Sequence, residues 1–136
     1  FITGVQMEVG PVATEFEQED ISTTLGKCLR YFQELCVGVN DTPVVNLSYY
    51  TATAAYGGVK LGTEMRATPS LAIADATDFT VYSNNGARVT SALANGAPMT
   101  TKHIELQAIT AAATGGHAGF MRTVGTAASI TLDAEL

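Results

Sequence analysis

Cysteine, basic residues and long apolar runs are all scarce in this sequence, and each shortage removes a class of protein. Two cysteines, Cys28 and Cys36, cannot build a disulfide scaffold. On a strand, at about 3.3 Å per residue, they would stand roughly 26 Å apart. On a helix, at about 1.5 Å per residue, the gap is roughly 12 Å. Either exceeds disulfide reach, so a bond would need a turn between them. Both are read as buried free thiols, and no Cys/His spacing resembles a zinc site. Seven basic residues against thirteen acidic ones leave a net charge of −6, which argues against wrapping a phosphate backbone. Nucleic acid is therefore not an expected partner. Nor is membrane insertion: the longest weakly polar run, AITAAATGGHAGFM (108 to 121), is short of a span, broken by glycines and interrupted by His117.

Catalytic signatures are equally scarce. There is no Gly-x-Ser-x-Gly elbow, no Gly-x-Gly-x-x-Gly and no P-loop, the glycines being scattered at turns. Glu15, Glu17, Glu19 and Asp20 lack the Asp-x-Asp-x-Asp-Gly pattern of a calcium loop and read as a solvated acidic connector. His103 falls on the outward face of a strand pattern, and His117 follows a Gly-Gly turn. The expectation is a protein without enzyme activity, metal or cofactor.

What is present is alternation. The chain has 136 residues, 46% of them hydrophobic, enough for the core of one domain. In ASITLDAEL, Ile130, Leu132, Ala134 and Leu136 alternate with polar residues, the period of a half-buried strand that continues to the end of the chain. KHIELQAIT places Ile104, Leu106 and Ala108 on one face, and GVQMEVG does the same with Val5, Met7 and Val9. Shorter strand patterns carry Leu71 and Ile73, then Phe79 and Val81. Asn84-Asn85-Gly86, Asn95-Gly96, Gly115-Gly116 and Gly125 fall at intervals that suit successive hairpins. Residues 15 to 32 lack alternation. There Ser22 is placed to cap a short helical turn through Leu25 and Leu29, ahead of a strand entered by Tyr31 and Phe32. Gly10-Pro11 breaks the chain after the first strand pattern. Residues 1–24 are thus read as an N-terminal strand and connector, and residues 25–136 as an all-β domain, an antiparallel jelly-roll-like β-sandwich. The chain opens at Phe1 without Met or a basic leader, and reads as a piece of a longer polypeptide.

The charged pair in KLGTEMRATPSLAIADATDF invites a catalytic reading, with Glu64 as base and Arg66 as anion clamp. No nucleophile is signalled beside them. The structural reading puts Glu64 and Arg66 on one face of a strand and Met65 on the other. Pro69, lacking an amide proton, then marks the start of the next strand where the chain crosses between sheets, and Arg66 pairs with a carboxylate across a strand or subunit boundary. Binding is read elsewhere. Tyr49, Tyr50, Tyr56 and Tyr82, with Asn84, Asn85 and Arg88, combine flat apolar rings with hydrogen-bond donors, the chemistry that suits sugars. The loop SNNGAR, 83 to 88, is the foremost candidate because tips projected from a rigid sheet carry function. The candidate receptor contacts are therefore Tyr82, Asn84, Asn85 and Arg88.

ITGVQMEVGPVATEFEQED followed by LGKCLRYFQ resembles the join, in bacteriophage tail-fibre and tail-spike proteins, between a lectin-like jelly-roll module and a C-terminal module. GVKLGTEMRATPSLAIA and GTAASITLDAEL are similar to two landmarks of that C-terminal module. The resemblance implies a receptor-binding β-sandwich at the distal end of a homotrimeric fibre. It would be made in the host cytoplasm, built into the virion behind upstream virion proteins, and exposed to a host surface glycan or protein. A monomeric carbohydrate-binding module and a glycan-degrading tail-spike enzyme are the alternatives.

Overall fold

In the computed structural model, residues 7, 9–12, 15, 18–84 and 86–135 are described. The first strand pattern, around Val5, lies largely outside them, as do Asn85 and Leu136. The first helix or strand among the described residues is α1 (Ile21–Cys28), whose cap is Asp20 rather than Ser22: the Asp20 carboxylate accepts from the Ser22 amide at 3.0 Å and from the Ser22 hydroxyl. These bonds hold the Asp20 carboxyl below its usual range. Position 24 falls inside this helix.

Nine strands follow among the described residues: β1 (Phe32–Cys36), β2 (Pro43–Tyr49), β3 (Ala54–Lys60), β4 (Ser70–Ile73), β5 (Phe79–Ser83), β6 (Gly86–Asn95), β7 (His103–Thr110), β8 (Ala118–Thr123) and β9 (Ile130–Asp133). All pairings are antiparallel. Six strands close a barrel in the order β2-β3-β7-β6-β5-β8, and β1-β9-β4 form a separate three-stranded sheet. The all-β expectation holds. There are two sheets, as a sandwich has, but the larger one is hydrogen-bonded round on itself.

Two of the expected hairpin turns connect strands differently. Asn84 to Gly86 and Asn95-Gly96 do join paired neighbours, β5 to β6 and β6 to β7. Gly115-Gly116, however, lies between β7 and β8, which are not neighbours, and Gly125 lies where the chain leaves the barrel for β9. Both positions still need glycine geometry, since Gly116 and Gly125 have φ of +83° and +84°. Gly125 is further fixed by donating its amide to Asn40 Oδ1 at 2.8 Å.

Alternation puts Leu47, Tyr49, Val81, Leu106, Ala108 and Met121 inside the barrel. Ile130, Leu132 and Ala134 of the smaller sheet belong to the same continuous core. Several polar side chains that enter it are hydrogen-bonded. Tyr49 and Thr110 share a hydroxyl–hydroxyl hydrogen bond of 3.0 Å, Thr123 Oγ1 accepts from the Thr42 amide at 3.0 Å, and Gln33 donates to the Leu29 and Thr63 carbonyls.

The cysteines differ from expectation. Cys36 is buried on β1, and burial pushes its thiol pKa up, whereas Cys28 at the end of α1 is exposed. Helix α1 packs none of its residues into the core, which leaves its last turn in solvent. A thiol reagent added to the folded protein should therefore label one cysteine quickly and the second only on unfolding. Rapid labelling of both would place Cys36 at the surface.

Candidate functional site

The outer face of the barrel is built by the residues that alternate with its core. On β8, Met121 and Thr123 point in, so Phe120 and Arg122 point out; on β5, Tyr82 points out beside them. Register sets Tyr82 directly opposite Phe120 and Phe120 opposite Asn46. The two rings stack at 5.4 Å between centroids with planes 8° apart. The Arg122 guanidinium lies across both, 4.9 Å from the Phe120 centroid and 5.6 Å from that of Tyr82. Such ring–cation contacts fix the arginine's stem without engaging the edges of its guanidinium.

Three shallow grooves cross this face. The largest, about 540 Å³, is bounded by Ser48, Tyr50, Tyr56, Glu105 and Gly116. Tyr50 is 82% exposed and meets Tyr56 edge-on at 6.0 Å. The Tyr56 hydroxyl accepts from Gln107 Nε2 at 2.6 Å, which orients that ring. Gly96 lies close beneath: a Cβ there would fall 2.6 Å from Glu105 Oε1 and 2.8 Å from the Tyr56 ring. A second groove, about 340 Å³, runs over Asn46 and Gly58 between Phe120 and Lys60. A third, about 450 Å³, lies on the other side of Phe120, against Tyr82, Asn84 and Gly119. Phe120 is the ridge between these two.

Of the residues singled out in the sequence, Tyr82 and Asn84 meet at one groove, and Asn85 lies outside the described residues. Arg88 does not join them. It stands opposite Val81, whose side chain is in the core, so it leaves the hairpin on the face away from Tyr82. There its Nε donates to the Ala112 carbonyl at 3.0 Å and its Nη1 reaches Ser83 Oγ and the Gly86 carbonyl, both at 3.4 Å. It ties the hairpin to the segment after β7. Tyr49, buried in the core, is withdrawn from any ligand, whereas Tyr50 and Tyr56 are open to one. His103 is exposed on β7, and His117 is half-buried with Nδ1 unpaired.

Glu64 and Arg66 share the exposed side of their segment with Met65 buried, as the spacing suggested, but residues 61 to 69 form an irregular crossing, not a strand. It leads from barrel strand β3 to β4 of the smaller sheet, and Pro69 immediately precedes β4. Glu64 accepts from Thr101 Oγ1 at 2.9 Å and pairs with Lys102 at 3.2 Å; these partners hold its carboxyl below the usual range. Arg66 takes no carboxylate among the described residues. Its guanidinium sits over Tyr31, 5.0 Å from the ring centroid, and its amide donates to the Arg30 carbonyl at 2.8 Å. An exposed cation–ring contact of this kind is worth about 0.5–1 kcal/mol. Arg66→Ala should accordingly lower stability by no more than about 1 kcal/mol in denaturant unfolding, and a loss several times larger would reveal a buried partner.

The sequence reading missed Phe120, Arg122, Gly58 and Glu105. GFMRT held a signal, since Phe and Arg alternate with Met and Thr. It was hidden because the aromatic faces out and the threonine in. Among the described residues no three His, Cys, Asp or Glu side chains gather as metal ligands, and no helix is long and apolar enough to cross a membrane. Comparison of the chain with protein-family models, with curated protein sequences and with solved structures finds no match.

Proposed function

We propose that this chain is an adhesive virion protein, the distal part of a bacteriophage tail fibre, and that it contacts a saccharide of the host cell surface with the outer face of its barrel. The fibre assignment rests on the sequence resemblance at residues 2–20, 25–33, 58–74 and 125–136. The observation that supports recognition on this face is the groove beside Tyr50 and Tyr56: two open rings at right angles, with Ser48 and Glu105 as hydrogen-bonding groups at their edge. A flat apolar surface rimmed by polar atoms suits a sugar, whose ring carries C–H bonds on its faces and hydroxyls around its edge. The jelly-roll sandwich implied by the resemblance belongs to this proposal too: barrel and smaller sheet share one core, as the two layers of a sandwich would.

Homotrimer formation is part of the same reading. Ile21 and Leu25 are one helical turn apart and 83% and 57% exposed, and Tyr31 and Phe32 follow them at the surface. A helix with no residue in its own core gains stability when its apolar stripe is covered. In a threefold assembly an identical chain covers it. Light scattering on the eluting protein should give three times the 14.2 kDa of one chain. A monodisperse monomer at micromolar concentration would remove the fibre assignment and leave a monomeric carbohydrate-binding module. Saccharide contact is tested separately, on a glycan array, where Tyr50→Ala should keep the melting temperature and abolish retention. Retention by that variant equal to the parent's would take the sugar away from this groove.

A further inference from the structure

Two cations that border one groove and form no ion pair among the described residues carry an inference about which saccharide is bound. In a chain of net charge −6 carboxylates outnumber cations, and among the described residues Lys27 and Lys102 each take one. Arg122 has none among the described residues: no ion pair or hydrogen bond reaches its guanidinium, and its Nε is buried without an acceptor against the Phe120 and Tyr82 rings. Lys60, at the far end of the second groove, has no ion-pair partner either. Lying on two rings, the Arg122 guanidinium has lost water on its faces, which strengthens its pull on an anion placed at its edge.

Gly58 lies on the floor of this groove beside Lys60, and Arg122 borders the groove through Phe120 and through Pro43, its partner across β2 and β8. A Cβ built there meets nothing within 4 Å, so packing does not account for a glycine in mid-strand. Its absence of a side chain leaves room for a ring to lie against the backbone, beside the exposed Asn46 and the Phe120 ridge. Glu105 is paired with Gly58 across β3 and β7 and would repel an anion if its carboxylate hung over this spot. It leans the other way, toward Gly96 and Tyr56.

We propose that this groove binds a carboxylated saccharide, a hexuronic acid unit, with the sugar ring over Gly58 and against Phe120, and the carboxylate held by Arg122 and Lys60. The inference names a ligand class on the face assigned above and rests on that reading. It differs in groove and in charge from the contact at Tyr50.

The probes are oligogalacturonate and the same oligomer with its carboxyls methyl-esterified, titrated into labelled protein and followed by amide shifts of residues 44–46, 58–60 and 118–122. Oligogalacturonate should bind at least tenfold tighter than the ester. Arg122→Gln should weaken it at least tenfold and Lys60→Ala severalfold. Because loss of Arg122 also removes a ring contact, Gly58→Val is the decisive variant: valine suits a strand and its Cβ meets no neighbour within 4 Å, so this protein should melt no lower than the parent and lose the uronate. Equal binding of acid and ester, unchanged binding by Gly58→Val, equal binding of a sulfated polymer, or no shift at millimolar uronate would each overturn the proposal. If a neutral glycan still binds through Tyr50, adhesion on this face survives and only the acidic class falls.

Discussion

Gly57→Val should lower the melting temperature steeply, while Gly58→Val one position along β3 melts at or above the parent. The difference comes from what lies beneath each residue. A Cβ at Gly57 would fall 2.5 Å from the Asn46 carbonyl oxygen and 2.9 Å from the Leu47 Cβ. The first obstacle is backbone, which cannot rotate aside, and it belongs to β2, whose pairing with β8 closes the barrel. Overpacking a yielding core costs about 1–3 kcal/mol. Against a strand that must keep its register the expected loss is above about 3 kcal/mol, a large share of the roughly 5–15 kcal/mol by which domains are stable. Thermal unfolding followed by circular dichroism compares the two variants directly. If both melt alike, β2 does not pass over β3 as closely as these distances require.

Leu132→Ala should destabilise by about 2–5 kcal/mol without changing the barrel's own hydrogen bonds. Leu132 is fully buried at the centre of β9, which is flanked by β1 and β4 and joins the core shared with the barrel. Removing it leaves a cavity where the three-stranded sheet and the barrel meet, and neither can close the gap without breaking its pairing. Chemical denaturation with one transition and a shifted midpoint is the expected record. A shift below about 1 kcal/mol would mean that the small sheet contributes little to global stability.

Much of this fold could be read from periodicity because the buried rows are chemically uniform. Ile104, Leu106 and Ala108, and Ile130, Leu132 and Ala134, are buried as their spacing indicated. Barrel closure could not be read that way, since an inward-facing residue looks the same in an open sheet and a closed one. What closes it is the pairing of β2 with β8, seventy or so residues apart in sequence, and no local pattern encodes that. The helix cap was misplaced by two residues because Asp20 and Ser22 have the same capping chemistry and only the backbone distinguishes them. The site was half legible. Tyr82 and Asn84 could be grouped from the sequence because turns and aromatics are visible locally, and they meet at one groove. Arg88 was grouped with them because strand parity across the hairpin was not applied to it. Arg122 was overlooked because no local pattern shows that it takes no carboxylate among the described residues, which is a property of the assembled surface.

The arrangement of β1, β9 and β4 also fixes an order of events. β1 spans residues 32–36 and β4 spans 70–73, yet the two are not paired; each pairs with β9 at 130–133. During synthesis, both strands wait with their amides and carbonyls unpaired until the ribosome has delivered Ile130 and its neighbours. The seam between β2 and β8 waits nearly as long. Folding dominated by such distant pairings is slow, on the order of milliseconds to seconds, and the nascent chain meanwhile carries two short strands able to recruit β9 from a neighbouring copy. In a protein proposed to assemble in threes, that interval is when chains can exchange a strand, and the local concentration of nascent copies then decides how often they do.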